Sequence, residues 1–462
     1  MNRIRTVVAG VLAASVTLSA MASEGEGRVP RGVPHLDHVF VIMMENHGFQ
    51  QVVNNPTMPF INSLITKKKV NLATNYFAVG HPSLTNYLEV VGGSNFGVRS
   101  DNSPDWHNNS CRTNLATGIP NADNDNAPLP PPYPIETNNI CPISGEGMDA
   151  MMEAVDNWNE TEPGFINFLP NIDGVKMLPA AHTVGKTIGD QLAEAGLSWK
   201  TYQENLPLSG ADQVDISNGT ATDQTTFNPK APLSATNLPP LTSDGVLHAY
   251  AVKHNPFAYF KSVQEGWNEN NSLRNMVGFD GAHGLYADLA SGNLPSLSYI
   301  VPNQCDDQHG QNNADAFCAE DQGTPFYQAQ GQALTDGTQV GLNPGLAAQA
   351  DVTMQRLVTS IEQSPAWRHG YNAIVIVYDE NDYSGTATPM PAGKVWPAQY
   401  LNTVILTVQT NGNYGPSGIH SKVPYNSFSL LKSLEAGFGL RCINHACDED
   451  VNVMSDLFGS GH

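Results

Sequence analysis

Two stretches of the chain carry an uninterrupted apolar run that stops on oxygen-bearing side chains. The first is His38-Val-Phe-Val-Ile-Met-Met-Glu-Asn46, and the second is Ala373-Ile-Val-Ile-Val-Tyr-Asp-Glu-Asn381. Such runs, partly β-branched, predict central parallel strands. Elsewhere the spacing turns helical. Met58 to Ile65 predicts a short helix, Thr183 to Ala195 a second closed by Gly196, and Leu346 to Ile361 a longer one that stops before Ser364-Pro365. Leu197 to Tyr202 alternates as a strand, Asn402 to Gln409 reads as a further strand, and Tyr425 to Leu434 as a late helix. The chain reads as α/β.

Between these elements lie polar segments. Residues 99–146 are rich in Asp, Asn and Pro, Leu206 to Val246 in Ser, Thr, Asn and Pro, and Asn303 to Asn343 in Gln, Asn, Gly and Asp. They predict long loop insertions, the first placed to roof a site. Lys67-Lys68-Lys69 reads as a solvated helix end.

The 462 residues are 40% hydrophobic, enough for a large core. Residues 1–22 read as a signal peptide: Arg3 and Arg5 are basic, Val7 to Leu18 is mostly apolar, and Ala20-Met21-Ala22 fits the cleavage pattern. No later run approaches a membrane span, so stable membrane insertion is not expected. Residues 23–34 then read as an N-terminal linker and 35–462 as one catalytic domain, exported as a secreted or periplasmic protein. Losing the leader removes two of 22 Lys and Arg, taking net charge from −22 to −24. That balance argues against nucleic acid or an anionic membrane as partner. The six cysteines fall into near pairs, which in an exported chain read as three local disulfides: Cys111–Cys141, Cys305–Cys318 and Cys442–Cys447. No spacing is Cys-x-x-Cys, so a zinc ribbon is not indicated.

Open α/β sheets place ligands at the carboxyl ends of their strands. Glu45, Asn46, Asp379 and Glu380 at two such ends therefore predict one oxygen-rich metal site. In Gly80-His-Pro-Ser-Leu-Thr-Asn-Tyr87, Ser83 precedes an apolar helical run. A serine there is ordinarily an N-cap. The same position suits a nucleophile, because the helix N-terminus favours an anion such as a phosphate.

Met43-Met-Glu-Asn46, His81-Pro-Ser-Leu-Thr-Asn-Tyr87 and Tyr378-Asp-Glu380 resemble the bacterial and fungal phosphoesterase family, which includes secreted acid phosphatases and phospholipases C. Thr187 to Glu204, Lys253-His-Asn-Pro-Phe-Ala-Tyr-Phe260, Leu294 to Pro302, Asp307-Gln-His309, Ser364-Pro-Ala-Trp367 and Ser429 to Glu435 follow in the same order. The resemblance implies an alkaline-phosphatase-like core with a mostly parallel central sheet flanked by helices. It also implies one divalent metal ion held by Glu45, Asn46, Asp379 and Glu380, with Ser83 as nucleophile and fifth ligand. Such hard oxygen donors suit Ca²⁺, Mg²⁺ or Mn²⁺ more than Zn²⁺, and leave the ion open.

Asn86, one helical turn after Ser83, is placed to offer an amide to a phosphoryl oxygen. His81, His254 and His309 are candidates to bind phosphate oxygens or protonate the leaving group, with Asp307 beside them. The family's last helix is usually entered through a histidine, where this chain has Ser427; His420 is the candidate replacement. The function implied is acid-phosphatase-like hydrolysis of a phosphomonoester through a phosphoseryl intermediate. The alternatives are a phospholipase C or other phosphodiesterase and, more remotely, a non-enzymatic secreted binding protein. A sulfatase is disfavoured because Ser83 is not followed by x-Pro-x-Arg.

Overall fold

The computed structural model describes residues 25–80, 82–98, 100–104, 140–149, 180, 182–206, 249–266, 268–311, 318–329, 337–381, 404–411 and 415–459. Residues 1–24, which include the stretch read as a signal peptide, His81, Cys111 and most of the first two polar insertions lie outside them.

An eight-stranded sheet organises the chain. Its strands are β1 (His38–Met44), β2 (Asn71–Ala73), β3 (Trp199–Gln203), β4 (Met276–Val277), β5 (Leu297–Val301), β6 (Asn372–Tyr378), β7 (Leu406–Thr410) and β8 (His420–Ser421). Their order across the sheet is β8-β2-β7-β6-β1-β5-β3-β4. The first apolar run is the central β1, parallel to β5 on one side and to β6 on the other. Val39 to Met44 are fully buried, which is why the run shows no alternation. Each such side chain contributes about 1.5–3 kcal/mol by leaving water. Only β7 breaks the parallel pattern, running antiparallel to both β6 and β2.

Helices flank this sheet: α1 (Pro59–Thr66), α2 (Ser83–Gly92), α3 (Ile188–Glu194), α4 (Pro344–Gln363) and α5 (Ser427–Phe438). The long α4 is capped by Asn343, whose side chain accepts from Gly345 N and Leu346 N, and it ends at Ser364-Pro365. Helix α2 is buried all round and packs against α5, so its apolar stripe is wider than a surface helix needs.

Local findings sharpen the sequence reading. Residues 25–34 are docked rather than free: Gly27 N donates to Cys442 O at 2.9 Å, and Cys442 N to Arg28 O at 3.2 Å. Val33 and Leu36 enter the core and anchor that segment. Disulfides join Cys305 to Cys318 and Cys442 to Cys447; Cys141 is also disulfide-bonded, and Cys111 lies outside the described residues. Lys67 to Lys69 are exposed as expected. No helix among the described residues is long and apolar enough to cross a membrane.

Candidate active site

The adjacency of β6, β1 and β5 brings three chain segments to one edge of the sheet. Past β1, Glu45 N donates to Asp307 O at 2.8 Å, and past β6, Asp379 N donates to Met44 O at 3.0 Å. The chain then turns at Asn46, whose φ of 32° is a left-handed value that asparagine tolerates. Its backbone N–H donates to Asp379 Oδ1 at 3.0 Å.

Ser83 meets these strand ends from α2. It is the first helical residue rather than the cap; Pro82 holds the cap position in extended backbone and offers no side-chain hydrogen bond to the helix end. With the capping role gone, Ser83 Oγ lies 3.1 Å from Glu45 Oε2 and 3.0 Å from Glu380 Oε1. A hydroxyl has one proton to donate, so two carboxylate oxygens at this range compete for it.

Glu45, Asp379 and Glu380 each offer an oxygen within 4.8 Å of the others, and all three are buried. Burial pushes the Asp379 and Glu380 carboxyls well above the usual range, and the charge of Glu45 pushes them further. Burial acts the same way on Glu45, but the His254 imidazole outweighs it and holds that carboxyl well below its ordinary value. Glu45 Oε1 and Asp379 Oδ2 have no hydrogen-bond partner. Glu45 Oε1 is ion-paired with His254 Nε2 at 2.8 Å. Buried carboxylates left in this state fit a divalent cation held by hard oxygens. Glu45, Asp379 and Glu380 are the residues that would hold it, with Ser83 Oγ in reach.

His254 closes the first of two turns of 3₁₀-helix, Val252–His254 and Pro256–Tyr259. Its ring stacks on Tyr87 with centroids 5.2 Å apart, and Nδ1 lies 3.1 Å from Asp307 Oδ2. Burial draws the imidazole down, but Glu45 and Asp307 hold it up at about 10. Burial raises Asp307 to about 6 against the opposing effect of His254. His309 differs. Its Nδ1 faces Gly310 O at 2.8 Å and its Nε2 lies 3.0 Å from Lys253 Nζ. Burial and that ammonium together lower it to about 4, so the ring is neutral and accepts from the lysine.

Asn86 braces the loop before Ser83. Its Oδ1 accepts from Val79 N at 3.1 Å and Gly80 N at 3.2 Å, while Nδ2 donates to Gly80 O at 2.7 Å and Glu380 Oε2 at 3.3 Å. The two amide protons are thus engaged within the chain. His420 is not brought to the site: it is exposed on the edge strand β8, three strands from β6. Ser427 begins α5, and its hydroxyl is buried. His81 lies outside the described residues.

Two residues at the site carry no sequence expectation of their own. Lys253 Nζ reaches Ser83 Oγ at 3.4 Å and pairs with Asp101 Oδ2 at 3.0 Å. Asp101 in turn accepts from Leu84 N, on the open first turn of α2, at 3.0 Å. A lysine next to His254 was visible in the sequence, whereas Asp101 sits in a loop whose composition marks no chemistry.

Comparison with known proteins places the chain in a lineage. A family model described as the Phosphoesterase family matches residues 54–321, a range that holds Ser83, Lys253, His254 and His309 and is flanked by Glu45 and Asp379. An acid phosphatase of Aspergillus fumigatus is 22% identical over 273 residues, 59% of this chain and 36% of that protein. A phosphatidylinositol-3-phosphatase of Mycobacterium tuberculosis is 34% identical over 98 residues, 21% of this chain and 32% of that protein. The matched part of the chain therefore spans about a third of the length of these relatives. A solved structure of a protein in the alkaline phosphatase superfamily from Vibrio parahaemolyticus aligns over 94% of this chain and 75% of its own, at 10% identity and a TM-score of 0.41. With more than half of its length matched by the family model, this chain belongs to the phosphoesterase family.

Proposed function

We propose that the protein is an exported, metal-dependent phosphoesterase that removes phosphate from monoesters through a phosphoseryl intermediate at Ser83. The observation that carries this reading is the placement of Ser83 Oγ, at the start of a buried helix and within 3.1 Å of two carboxylates in a cluster with unsatisfied oxygens. A divalent cation on Glu45, Asp379 and Glu380 would supply Lewis-acid stabilisation of negative charge there.

The chain's own groups supply the rest. The Ser83 hydroxyl proton passes to the accepting carboxylate as Oγ bonds to phosphorus, the ester P–O bond breaks, and the departing alkoxide takes up a proton from water. Water then attacks the phosphoserine, releasing phosphate and restoring the hydroxyl. The brace from Asn86 fixes the loop that aims Oγ, and His254, held between Glu45 and Asp307, fixes the Glu45 carboxylate. Acid phosphatase and phosphatidylinositol-3-phosphatase, the names of the relatives above, both denote removal of a phosphate group, which favours the monoester over the diester. The disulfides Cys305–Cys318 and Cys442–Cys447 support export to an oxidising compartment.

Release of p-nitrophenol from p-nitrophenyl phosphate tests the reading. The wild type should be active, lose activity to EDTA, and lose it again as Ser83→Ala; an active Ser83→Ala protein overturns the mechanism.

A further inference from the structure

We infer that Lys253 is a catalytic residue that supplies a second, built-in cation at the nucleophile and selects the phosphomonoester dianion over the diester monoanion. The inference rests on the phosphoesterase reading above and adds to it the group that sets the substrate's charge. Its basis is geometric. The ammonium is 3.4 Å from Ser83 Oγ, 3.0 Å from Asp101 Oδ2 and 3.0 Å from His309 Nε2, with 16% of the side chain exposed.

These three partners fix the ammonium from three sides. Asp101 is itself held by Leu84 N, and His309 is locked by Gly310 O into the tautomer whose Nε2 accepts. A lysine stem is long and flexible, so this anchoring is what turns a mobile charge into a positioned one. A reacting phosphorus approaches its nucleophile to about 3–3.5 Å. An ammonium already beside that nucleophile then touches a terminal phosphoryl oxygen. A monoester offers three terminal oxygens and two charges, whereas a diester offers two oxygens and one charge. The additional charge is the one a fixed cation at Ser83 rewards.

The same residues exclude a second metal ion. Glu45, His254 and His309 also converge within 4.8 Å. However, His309 Nε2 faces Lys253 Nζ, and both His254 nitrogens face carboxylates at 2.8 and 3.1 Å. An ammonium 3.0 Å from one of three donors repels a dication placed on the same donors. The site should therefore hold one metal ion and one ammonium.

Lys253→Met and Lys253→Arg test this on the full-length, metal-loaded protein. In Lys253→Met, kcat/KM for p-nitrophenyl phosphate should fall ~10²–10³-fold, the usual loss for a group aimed at developing charge. Turnover of bis-p-nitrophenyl phosphate should change less than about five-fold, and competitive inhibition by inorganic phosphate should weaken at least ~10-fold. Lys253→Arg, which keeps the charge, should recover part of both losses. Metal analysis of the wild type and of Lys253→Met should find one ion per chain. An equal fall for both esters, unchanged phosphate inhibition, or two ions in the wild type overturns the role given to Lys253. If diester turnover is below detection, phosphate inhibition in the Met and Arg variants decides. A wild type that cleaves neither ester instead overturns the functional reading itself.

Discussion

The two ends of helix α2 each carry a buried acidic cluster, and they are built to opposite rules. At the C-terminal end, Asp149 has both oxygens satisfied. Oδ1 accepts from Ser94 Oγ, and Oδ2 accepts from Ala180 N at 2.8 Å and lies 2.6 Å from His445 Nε2. His445 completes its second nitrogen on Asp448 Oδ2 at 2.6 Å and stacks on Phe428. At the N-terminal end the ingredients are alike, carboxylates with an imidazole and a serine, yet Glu45 Oε1 and Asp379 Oδ2 find no hydrogen bond. A closed cluster rigidifies a fold, while one left open in a low-dielectric interior is stable only with something added. Both ends set a buried carboxylate beside an imidazole and a serine; what differs is that Asp149 has partners for both oxygens, whereas Asp379 Oδ2 has none.

The sharpest way to break this comparison is to remove one carboxylate from each cluster. At the open end, Asp379→Asn should lower phosphatase activity ~10⁴-fold, about 5.5 kcal/mol of transition-state stabilisation, and metal analysis should show the ion lost. At the closed end, Asp149→Ala should leave metal content alone. It should cost about 3–5 kcal/mol in folding stability, because it removes the buried carboxylate partner of His445 and leaves only the half-exposed Asp448. Urea unfolding measures this. Equal stability losses from the two substitutions would erase the distinction.

The closed cluster also has a pH signature. Burial lowers the His445 imidazole, but Asp149 and Asp448 more than reverse this and raise it to about 10 from the ordinary 6.5. A raised folded-state value means that the pair's stabilisation is complete below about pH 6.5 and fades as pH climbs toward 10. Asp448 is 44% exposed, so solvent screening trims the effect to about 2 kcal/mol. Wild-type stability should fall by that much more than His445→Gln stability between pH 6 and pH 10, read from unfolding curves. Parallel falls in both proteins would remove His445 from the account.

The sequence showed the open site more clearly than the closed one, for a physical reason. Glu45 and Asp379 end long apolar strands, and a core strand that stops on a carboxylate is visible in one dimension. The helix at Ser83 was visible too, although its serine emerged as the first helical residue and not the cap. The closed cluster joins Ser94, Asp149 and His445, residues separated by 55 and 296 positions, with no periodic run to mark them. Lys253 is hidden differently: its neighbour His254 stands out in the sequence, but which of two adjacent polar side chains faces Ser83 depends on a 3₁₀ turn that spacing does not specify. His420 shows the reverse error, a polar residue read as chemistry that folds onto an exposed edge.

The smallest expected effect is the most discriminating. In the metal-free protein, Asp379 is a buried carboxyl whose value is pushed up by burial and then by Glu45 and Glu380. A raised carboxyl destabilises the fold at any pH above its unfolded value near 4, because the chain must either hold a repelled charge or bind a proton to escape it. Asp379→Asn keeps the size and the acceptor for Asn46 N while removing that charge. With EDTA present, the variant should therefore be more stable than wild type by about 1 kcal/mol, at the scale of a modest like-charge relief. Without EDTA and with metal supplied, the order should reverse, since only the wild type gains the binding energy of the ion. Asp149→Asn, the matched change at the other end of α2, should be destabilising under both conditions. Thermal melts of the two variants with and without chelator give four shifts relative to wild type, and only the Asp379 pair should change sign. If it does not, the unsatisfied oxygens at the head of α2 are not waiting for a cation.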